Sequence, residues 1–380
     1  MMIENQRQLF DIPPGVTYLN CAYLSPLLRA VADAGKAGVD RKLHPWTIIR
    51  RDFFDELEEV RGLFAQLINA TPDDIAIVPA SSYAVAIAGL NLPLHKGQTA
   101  IVIGREHFSS VYQWKLRCRE SGAELLVVDE PSDGGWTQGI VERIDRRTAI
   151  VCVPQYHWHD GSVVDIEAVS AAARAAGAAL IIDGTQSIGA LHFDVQRVKP
   201  AFLFCSAYKW LLGPYGLAFL YAEPSHQSGM PLEHHSYNRA GAEEMSSTSG
   251  YSDDFLPGAR RYDFGERSNF ITLPMLKIAL RQLLNWGPSN IQAALTPLVT
   301  AINQRAVDLG LIAPRPGTGA SHFTGFRFPT GIPPALPDAL IAANVHVSVR
   351  GETLRVSPYL YNTVSDVERL FDVLAPTIRK

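Results

Sequence analysis

Short apolar runs alternate with longer helical stretches between about residues 74 and 221. Most of these runs are continuously apolar, as expected for strands that are covered by helices on both faces of a sheet. The strands predicted in this way are Ile75–Val78, Thr99–Ile103, Glu124–Val128, Ala149–Val153, Ala179–Ile182, Ala201–Cys205 and Leu217–Tyr221. Their alternation with helices predicts a mostly parallel, seven-stranded sheet. The last two strands are joined by too few residues for a helix, so one of them can run antiparallel.

The clearest helix spans Ile166–Ala176, where Asp165 is a suitable N-cap and Gly177 a suitable C-terminal stop. Beyond Tyr221 the composition changes, and residues 223–260 are rich in Gly, Ser, Pro, His and acidic residues, which predicts a long surface loop. Further helices are predicted at Leu273–Trp286, at Ile291–Leu309 and from about Val364. The pattern predicts a large α/β domain at residues 15–258 and a smaller α+β domain that combines residues 1–14 with 259–380.

Composition narrows the possible partners and compartment. The 380 residues are 47% hydrophobic and 19% charged, and the net charge of −4 provides no basic field for nucleic acid. No apolar run approaches the roughly 20 residues of a membrane-spanning helix, and the N-terminal stretch lacks signal-peptide features. None of the four cysteines forms a C-x-x-C pair, which is typical of buried free thiols in a reducing compartment. We therefore expect a cytoplasmic protein with neither nucleic-acid nor membrane partners.

Polar residues directly follow five of the predicted strands. Because ligands of an open parallel sheet bind beyond the carboxyl ends of its strands, these residues are expected to line one crevice. The clusters that follow the strands contain Ser81 and Ser82, His107 and Phe108, His157 and Trp158, Asp183 and Gln186, and Ser206, Tyr208 and Lys209. No H-E-x-x-H or comparable ligand spacing occurs, so no metal site is predicted.

Two adjacent segments carry a specific resemblance, IIDGTQSIGA and FCSAYKWLLGPYGLAFLY. Together with TYLNCAYLSP, YDFGERSNF and LRVSPYLYNTVSDVERL, they resemble the class V aminotransferase family. This family includes cysteine desulfurases, kynureninases and isopenicillin-N epimerase-like proteins. The resemblance spans nearly the whole chain in the family's order. It implies pyridoxal 5′-phosphate (PLP) as cofactor and the α/β fold of PLP-dependent transferases of fold type I, with a large domain and a smaller α+β C-terminal domain.

The resemblance also implies roles for individual residues. Lys209 is expected to form a Schiff base with PLP, and a lysine amine becomes nucleophilic where its surroundings lower its pKa. Asp183 is expected to keep the pyridine nitrogen protonated through a charge-assisted hydrogen bond. Gln186 resembles the residue that contacts the ring hydroxyl, and His107 the residue that stacks on the ring, with Phe108 as a competing candidate. The phosphate is expected to contact Ser81, Ser82, Ser206 and Tyr208.

Substrate contacts follow from the same resemblance. Arg355 resembles the arginine that grips the α-carboxylate of the substrate, and Arg350 a second arginine, although each can instead form a surface ion pair. Trp158, with His157, can shape the substrate pocket or simply pack in its loop. Arg267 lies where a loop of the neighbouring subunit reaches the phosphate in relatives, which implies a homodimer with shared active sites.

The motifs leave the reaction open among several kinds of chemistry. Amino transfer or epimerisation at Cα of a small amino acid is the first hypothesis, with class V aminotransferase the leading choice. Elimination at Cβ, as in kynureninase or a carbon–sulfur lyase, is the second, and a non-catalytic PLP-fold binding protein is the third. A desulfurase that works through a protein persulfide is disfavoured, because the short segment 350–355 contains no cysteine.

Overall fold

The computed structural model describes residues 3–129, 135–244 and 252–378. The strands within these ranges are β1 Thr17–Tyr18, β2 Ile75–Val78, β3 Thr99–Ile103, β4 Glu124–Val128, β5 Thr148–Pro154, β6 Ala179–Asp183, β7 Phe202–Ser206, β8 Ala218–Ala222, β9 Thr324–Arg327, β10 Val345–His346, β11 Ser348–Arg350 and β12 Thr353–Val356. The α-helices are α1 Arg29–Lys42, α2 Asp55–Leu67, α3 Ser81–Asn91, α4 Phe108–Ser121, α5 Trp136–Val141, α6 Ile166–Ala176, α7 Val195–Val198, α8 Thr272–Trp286, α9 Pro288–Asp308, α10 Leu336–Ala342 and α11 Val364–Ile378.

The seven predicted strands form one sheet with the order β2-β8-β7-β6-β5-β3-β4. Strand β8 runs antiparallel to both of its neighbours, and the other pairs are parallel, which confirms the mostly parallel sheet. The continuous apolar runs arise because each face of the sheet has its own core. Along β5, Val151 and Val153 enter one buried cluster, whereas Ile150 and Cys152 enter the cluster on the opposite face.

The helix predictions hold for the long amphipathic stretches. Helix α6 has the predicted bounds, and the Oδ1 of Asp165 accepts hydrogen bonds from the N–H groups of Glu167 and Ala168 at 3.1 Å each. Gly177 ends the helix with φ +74°, a left-handed conformation that glycine adopts without strain. The predicted helices near residues 272–309 and 364–378 are α8, α9 and α11. The short helix α10 was not predicted.

The C-terminal part of the chain forms a smaller three-stranded antiparallel sheet in the order β11-β12-β9. Strand β1 pairs in parallel with β10, so the N-terminal segment joins this part of the chain as far as Tyr18. The division at residues 14 and 258 stays a prediction. The expected loop at 223–260 contains short 3₁₀ helices, including Pro224–His226 and Ser236–Asn238, and its residues 245–251 lie outside the described ranges.

All four cysteines are buried and free, as expected from their spacing. Among the helices of the described ranges, none combines the length and apolar character that crossing a bilayer requires.

A buried ion pair connects α2, β2 and the segment before α8. Arg61 donates two hydrogen bonds to the carboxylate of Asp263, at 2.7 and 3.1 Å, and both side chains are fully buried. The same carboxylate accepts the backbone N–H of Ile77 at 2.8 Å. The Nε of Arg267 lies 3.0 Å from it as well. Asp263 is therefore shared by two buried guanidinium groups, of which Arg61 also pairs with Glu58 at 3.0 Å.

We expect Asp263→Asn to lower the free energy of unfolding by about 3–5 kcal/mol, because it leaves buried positive charge uncompensated. The matched control is Asp55→Asn, which removes an exposed ion pair with Arg51 (3.2 Å) and is expected to cost less than about 1 kcal/mol. Denaturant unfolding of both variants measures the difference. Equal, small losses would contradict this account of the buried cluster.

Candidate active site

The candidate site lies at the carboxyl edge of the parallel part of the sheet. Asp183 is the last residue of β6 and Ser206 the last residue of β7, the neighbouring strand. His107 immediately precedes α4, four residues after β3 ends. Parallel strands bring their carboxyl ends to the same edge, and for this reason residues distant in sequence converge here.

Lys209 lies in the loop that follows β7, with its Nζ 5.5 Å from the centre of the Tyr208 ring. Burial lowers its pKa to about 8; Asp183 opposes this shift, and the positive charges of Arg355 and Arg350 add to it. A larger fraction of the amine is therefore neutral near physiological pH than for an ordinary lysine. This is the property that a nucleophilic or basic lysine needs.

The carboxylate of Asp183 is held by two donors. Its Oδ2 accepts a hydrogen bond from the hydroxyl of Ser110 at 3.1 Å, and its Oδ1 accepts one from the backbone N–H of Thr185 at 2.9 Å. Ser110 is 3% exposed and lies in the first turn of α4. Sequence reasoning missed this serine, because no motif marks it.

Two of the four predicted phosphate ligands, Ser81 and Ser206, lie close to each other. The hydroxyls of Ser81 and Ser206 lie 2.6 Å apart, and Ser81 is the first residue of α3. A helix N-terminus with nearby hydroxyls suits a phosphate group. Ser82 is the next residue of the helix and is exposed, and the ring of Tyr208 contacts that of Tyr215 at 4.5 Å.

The two candidates for stacking on the cofactor ring differ in position. Burial lowers the pKa of His107; Asp183 opposes this shift, while Lys209 and Arg350 add to it, so its ring lies among the charged groups of the site. Both residues are exposed, but the ring of Phe108 stacks on Tyr112 at 5.8 Å and has no part in the electrostatics of the charged groups. This placement favours His107.

Gln186 is buried, and both its amide oxygen and one of its two amide N–H groups are already hydrogen-bonded. Its Oε1 accepts the indole N–H of Trp210 at 2.8 Å, and its Nε2 donates to the carbonyl of Ala22 at 3.2 Å. One N–H of the amide remains for the expected contact with the cofactor.

The two predicted substrate arginines meet at Trp158. Arg355, which is 1% exposed, donates a hydrogen bond from Nη1 to the carbonyl of Trp158 at 2.6 Å. The guanidinium carbon of Arg350 lies 5.5 Å from the centre of the indole ring. Neither arginine forms an ion pair with a carboxylate of the described residues, so the surface ion-pair alternative is not what the structure shows.

His157 takes the packing alternative that the sequence left open. It is 1% exposed, and its ring stacks on that of Trp136 at 5.2 Å. Its Nε2 donates to the carbonyl of Gly104 at 3.2 Å, and its Nδ1 lies 3.5 Å from Asp160.

Glu106 is a buried carboxyl near His157. Burial raises the pKa of Glu106 to about 7, although the charge of His157 opposes the shift. Sequence reasoning assigned no role to this buried carboxyl.

Atoms of His157, His159 and Asp160 that could ligate a metal ion lie within 4.8 Å of one another. The guanidinium of Arg105, however, lies 2.6 Å from the Nε2 of His159. A positive charge at that distance opposes cation binding, and the Nε2 also lies 2.9 Å from the carbonyl of Arg350. The cluster is better described as a hydrogen-bond network.

Arg267 is packed against its own chain. It is 1% exposed, pairs with Asp263 and lies 5.7 Å from the ring centres of both Phe54 and Tyr237. Its Nη1 is buried without a hydrogen-bond partner among the described residues. The phosphate contact across a subunit interface stays a prediction.

The arrangement fits the chemistry of PLP. It offers a partly buried amine of lowered pKa, a carboxylate held by two donors, and a pair of hydroxyls at a helix N-terminus. It also offers guanidinium groups with unused donors, because the Nε atoms of Arg350 and Arg355 are buried without a hydrogen-bond partner. These are the groups that a PLP-dependent enzyme of fold type I presents to its cofactor and to an amino-acid substrate.

Comparison with known proteins gives the family. The aminotransferase class-V family model matches residues 35–254, which is more than half of the chain. The chain belongs to the class V aminotransferase family and is a PLP-dependent enzyme. The resemblance seen in the motifs is thereby confirmed.

Two relatives match almost the whole chain. An uncharacterized aminotransferase, YcbU, of Bacillus subtilis is 27% identical over 99% of both chains. Isopenicillin N epimerase of Streptomyces clavuligerus is 27% identical over 98% of this chain and 97% of its own.

Solved structures confirm the fold. The cysteine desulfurase of Thermococcus onnurineus superimposes with a TM-score of 0.86 at 19% identity over 99% of both chains. A C-DES variant, which has glycine covalently linked to its PLP cofactor, gives 0.87 at 15% identity over 98% of this chain and 99% of its own. At these identities the likeness concerns the fold alone.

We expect the wild-type protein to show the visible absorption band of lysine-bound PLP and Lys209→Ala to lack it. Borohydride is expected to fix the cofactor onto Lys209 in the wild type, where peptide mapping locates it. Lys199→Ala, a change of an exposed lysine, serves as the control and is expected to keep the band. Cofactor fixed to another lysine would refute the assignment.

We expect Ser110→Ala to weaken PLP binding about 10-fold or more, because a hydrogen bond to a charged group contributes about 1.5–3 kcal/mol. Ser109→Ala, which changes the neighbouring residue, is the matched control. Equilibrium titration of the cofactor-free proteins with PLP measures both dissociation constants. The same constant in both variants would mean that Ser110 does not support Asp183.

Proposed function

We propose that the chain is an aminotransferase that acts at Cα of a small amino acid. The observation that carries this proposal is the environment of Lys209 in the loop after β7, where burial lowers the pKa of its amine, the charge of Asp183 opposes that shift and the charge of Arg355 adds to it. A carboxylate-binding guanidinium next to a basic amine is the pair of groups that Cα chemistry requires. A binding protein without catalysis would need no such amine.

Each residue has a distinct task in this proposal. Arg355 binds the α-carboxylate in a two-pronged contact and thereby fixes the orientation of the bonds at Cα. The bound PLP supplies the electron sink for the charge that develops at Cα. Asp183 keeps the pyridinium proton in place, and Ser110 and the N–H of Thr185 hold its carboxylate. The neutral amine of Lys209 accepts the Cα proton and returns it.

The cysteines argue against the persulfide route of desulfuration. All four are buried, and burial raises the pKa of Cys21 and Cys205 above the usual range, which disfavours the reactive thiolate. The turn between β11 and β12 consists of Gly351 and Glu352 and offers no thiol. Epimerisation remains the second candidate, because the isopenicillin N epimerase relative matches nearly the full length. A lyase that needs no persulfide is the third.

The proposed enzyme is a cytoplasmic homodimer. Support for the dimer comes from large apolar side chains exposed between α1 and α2, namely Leu43 at 66%, Trp46 at 77% and Ile49 at 61%. An exposed apolar group of this kind commonly marks an interface. Support for the compartment comes from the four free thiols.

The test incubates the PLP-loaded protein with a panel of amino acids, with and without a keto acid. We expect at most one equivalent of keto product per site without a co-substrate and continued turnover with one, because the amino group must leave the enzyme. Lys209→Ala is expected to show neither. Continued release of pyruvate or ammonia without a co-substrate would indicate a lyase. Racemised substrate with Cα deuterium exchange would indicate an epimerase.

A further inference from the structure

Arg350 and Arg355 project from the same face of the small sheet. Strands β11 and β12 are antiparallel, and Arg355 lies opposite Ser348. Arg350 lies two residues along the strand from Ser348, so its side chain points to the same face. Diagonal neighbours of this kind are about 7–8 Å apart at the backbone, within reach of one small ligand for two long side chains.

Trp158 fixes both arginines. Its carbonyl accepts the hydrogen bond from Arg355 at 2.6 Å, and its indole ring lies beside the guanidinium of Arg350. The ring of Tyr23 also contacts Arg350, with its centre 5.4 Å from the guanidinium carbon. The indole is itself held, since its N–H donates to the carbonyl of Arg105 at 2.8 Å. Contacts with aromatic rings hold a guanidinium in place and leave its N–H groups to bind an anion.

The two guanidinium groups have no negative partner in the described part of the chain. Each has a buried Nε without a hydrogen-bond acceptor. Burial and the charge of Arg350 lower the pKa of Arg355 to about 9, as expected where like charges approach without compensation. The α-carboxylate of a substrate supplies a single negative charge, which leaves the second arginine uncompensated.

From this geometry we infer that the preferred substrate is an amino acid with a second acidic group in its side chain, such as aspartate or glutamate. Arg355 binds the α-carboxylate, and Arg350, which contacts the rings of Tyr23 and Trp158, binds the side-chain acid. The inference rests on the proposed function, because it assigns the substrate class of the same site.

The first test measures binding without turnover. Calorimetry on the PLP-loaded protein compares succinate with butyrate, and glutarate with valerate, pairs that match in carbon number and differ in the second acid. We expect the diacids to bind about 10-fold more tightly or better, and Arg350→Gln to remove that preference with little change for the monoacids. Arg350→Lys is expected to retain part of it. Arg327→Gln, a change of an exposed arginine on β9, is the control and should leave all four affinities unchanged.

The second test measures turnover with aspartate and alanine as amino donors. Arg350→Gln is expected to raise KM about 10-fold or more for aspartate and far less for alanine. Equal losses for both donors would mean that the two arginines share one carboxylate and would overturn the inference. So would equal binding of diacids and monoacids by the wild-type protein.

The two proposals fail in different ways. Turnover of alanine without any preference for diacids would retain the aminotransferase and refute the acidic substrate. Arg350-dependent binding of diacids without amino transfer would refute the aminotransferase and support the second acid-binding position.

Discussion

The parallel alignment of β3, β5, β6 and β7 is the constraint on which the rest of the molecule depends. It brings Asp183 and Ser206 to adjacent positions at one edge of the sheet and places the start of α4 beside them. Strand β2 lies beyond the antiparallel β8 and runs in the same direction as β7, so Ser81 after β2 comes within 2.6 Å of Ser206, 125 residues away in sequence. Such a sheet needs helices on both faces, which explains the two separate apolar clusters and the continuous apolar character of the strands.

A second constraint joins the small sheet to this edge. The loop after β5 accepts a hydrogen bond from Arg355 through the carbonyl of Trp158, and His159 lies within hydrogen-bond distance of the carbonyl of Arg350. The backbone of Asp160 accepts the N–H of Gly325 at 2.8 Å, and a Cβ at Gly325 would lie 2.7 Å from the Asp160 Cα. Only glycine permits this approach. The position of the substrate arginines therefore depends on the loop of the large sheet as much as on their own strands.

The features that could be predicted from the sequence are those that residues close together along the chain determine. Strands β2, β3 and β4 and helix α6 have the predicted bounds, because apolar runs and an Asp–Gly pair of caps define them locally. The family membership could be read from the segments around Asp183 and Lys209. The hydrogen bond of Ser110 to Asp183 joins residues 73 apart, and the β1–β10 pair joins opposite ends of the chain, so neither leaves a local pattern. For the same reason the burial of Arg267 against Asp263 could not be anticipated.

The charges at the site explain how such an arrangement can bind and react. Lys209, Arg350 and Arg355 lie close enough that the arginines depress the pKa of the lysine, while Asp183 opposes them. A substrate anion reduces the repulsion between the arginines, so part of the unfavourable energy of burying them is recovered on binding. The same anion raises the pKa of Lys209, because it removes a charge effect that favours the neutral amine. Burial still lowers that pKa, so a fraction of the amine stays neutral and able to accept a proton. Arg350 and Arg355, which bind the substrate, therefore also influence the protonation of Lys209, the base that acts on the substrate.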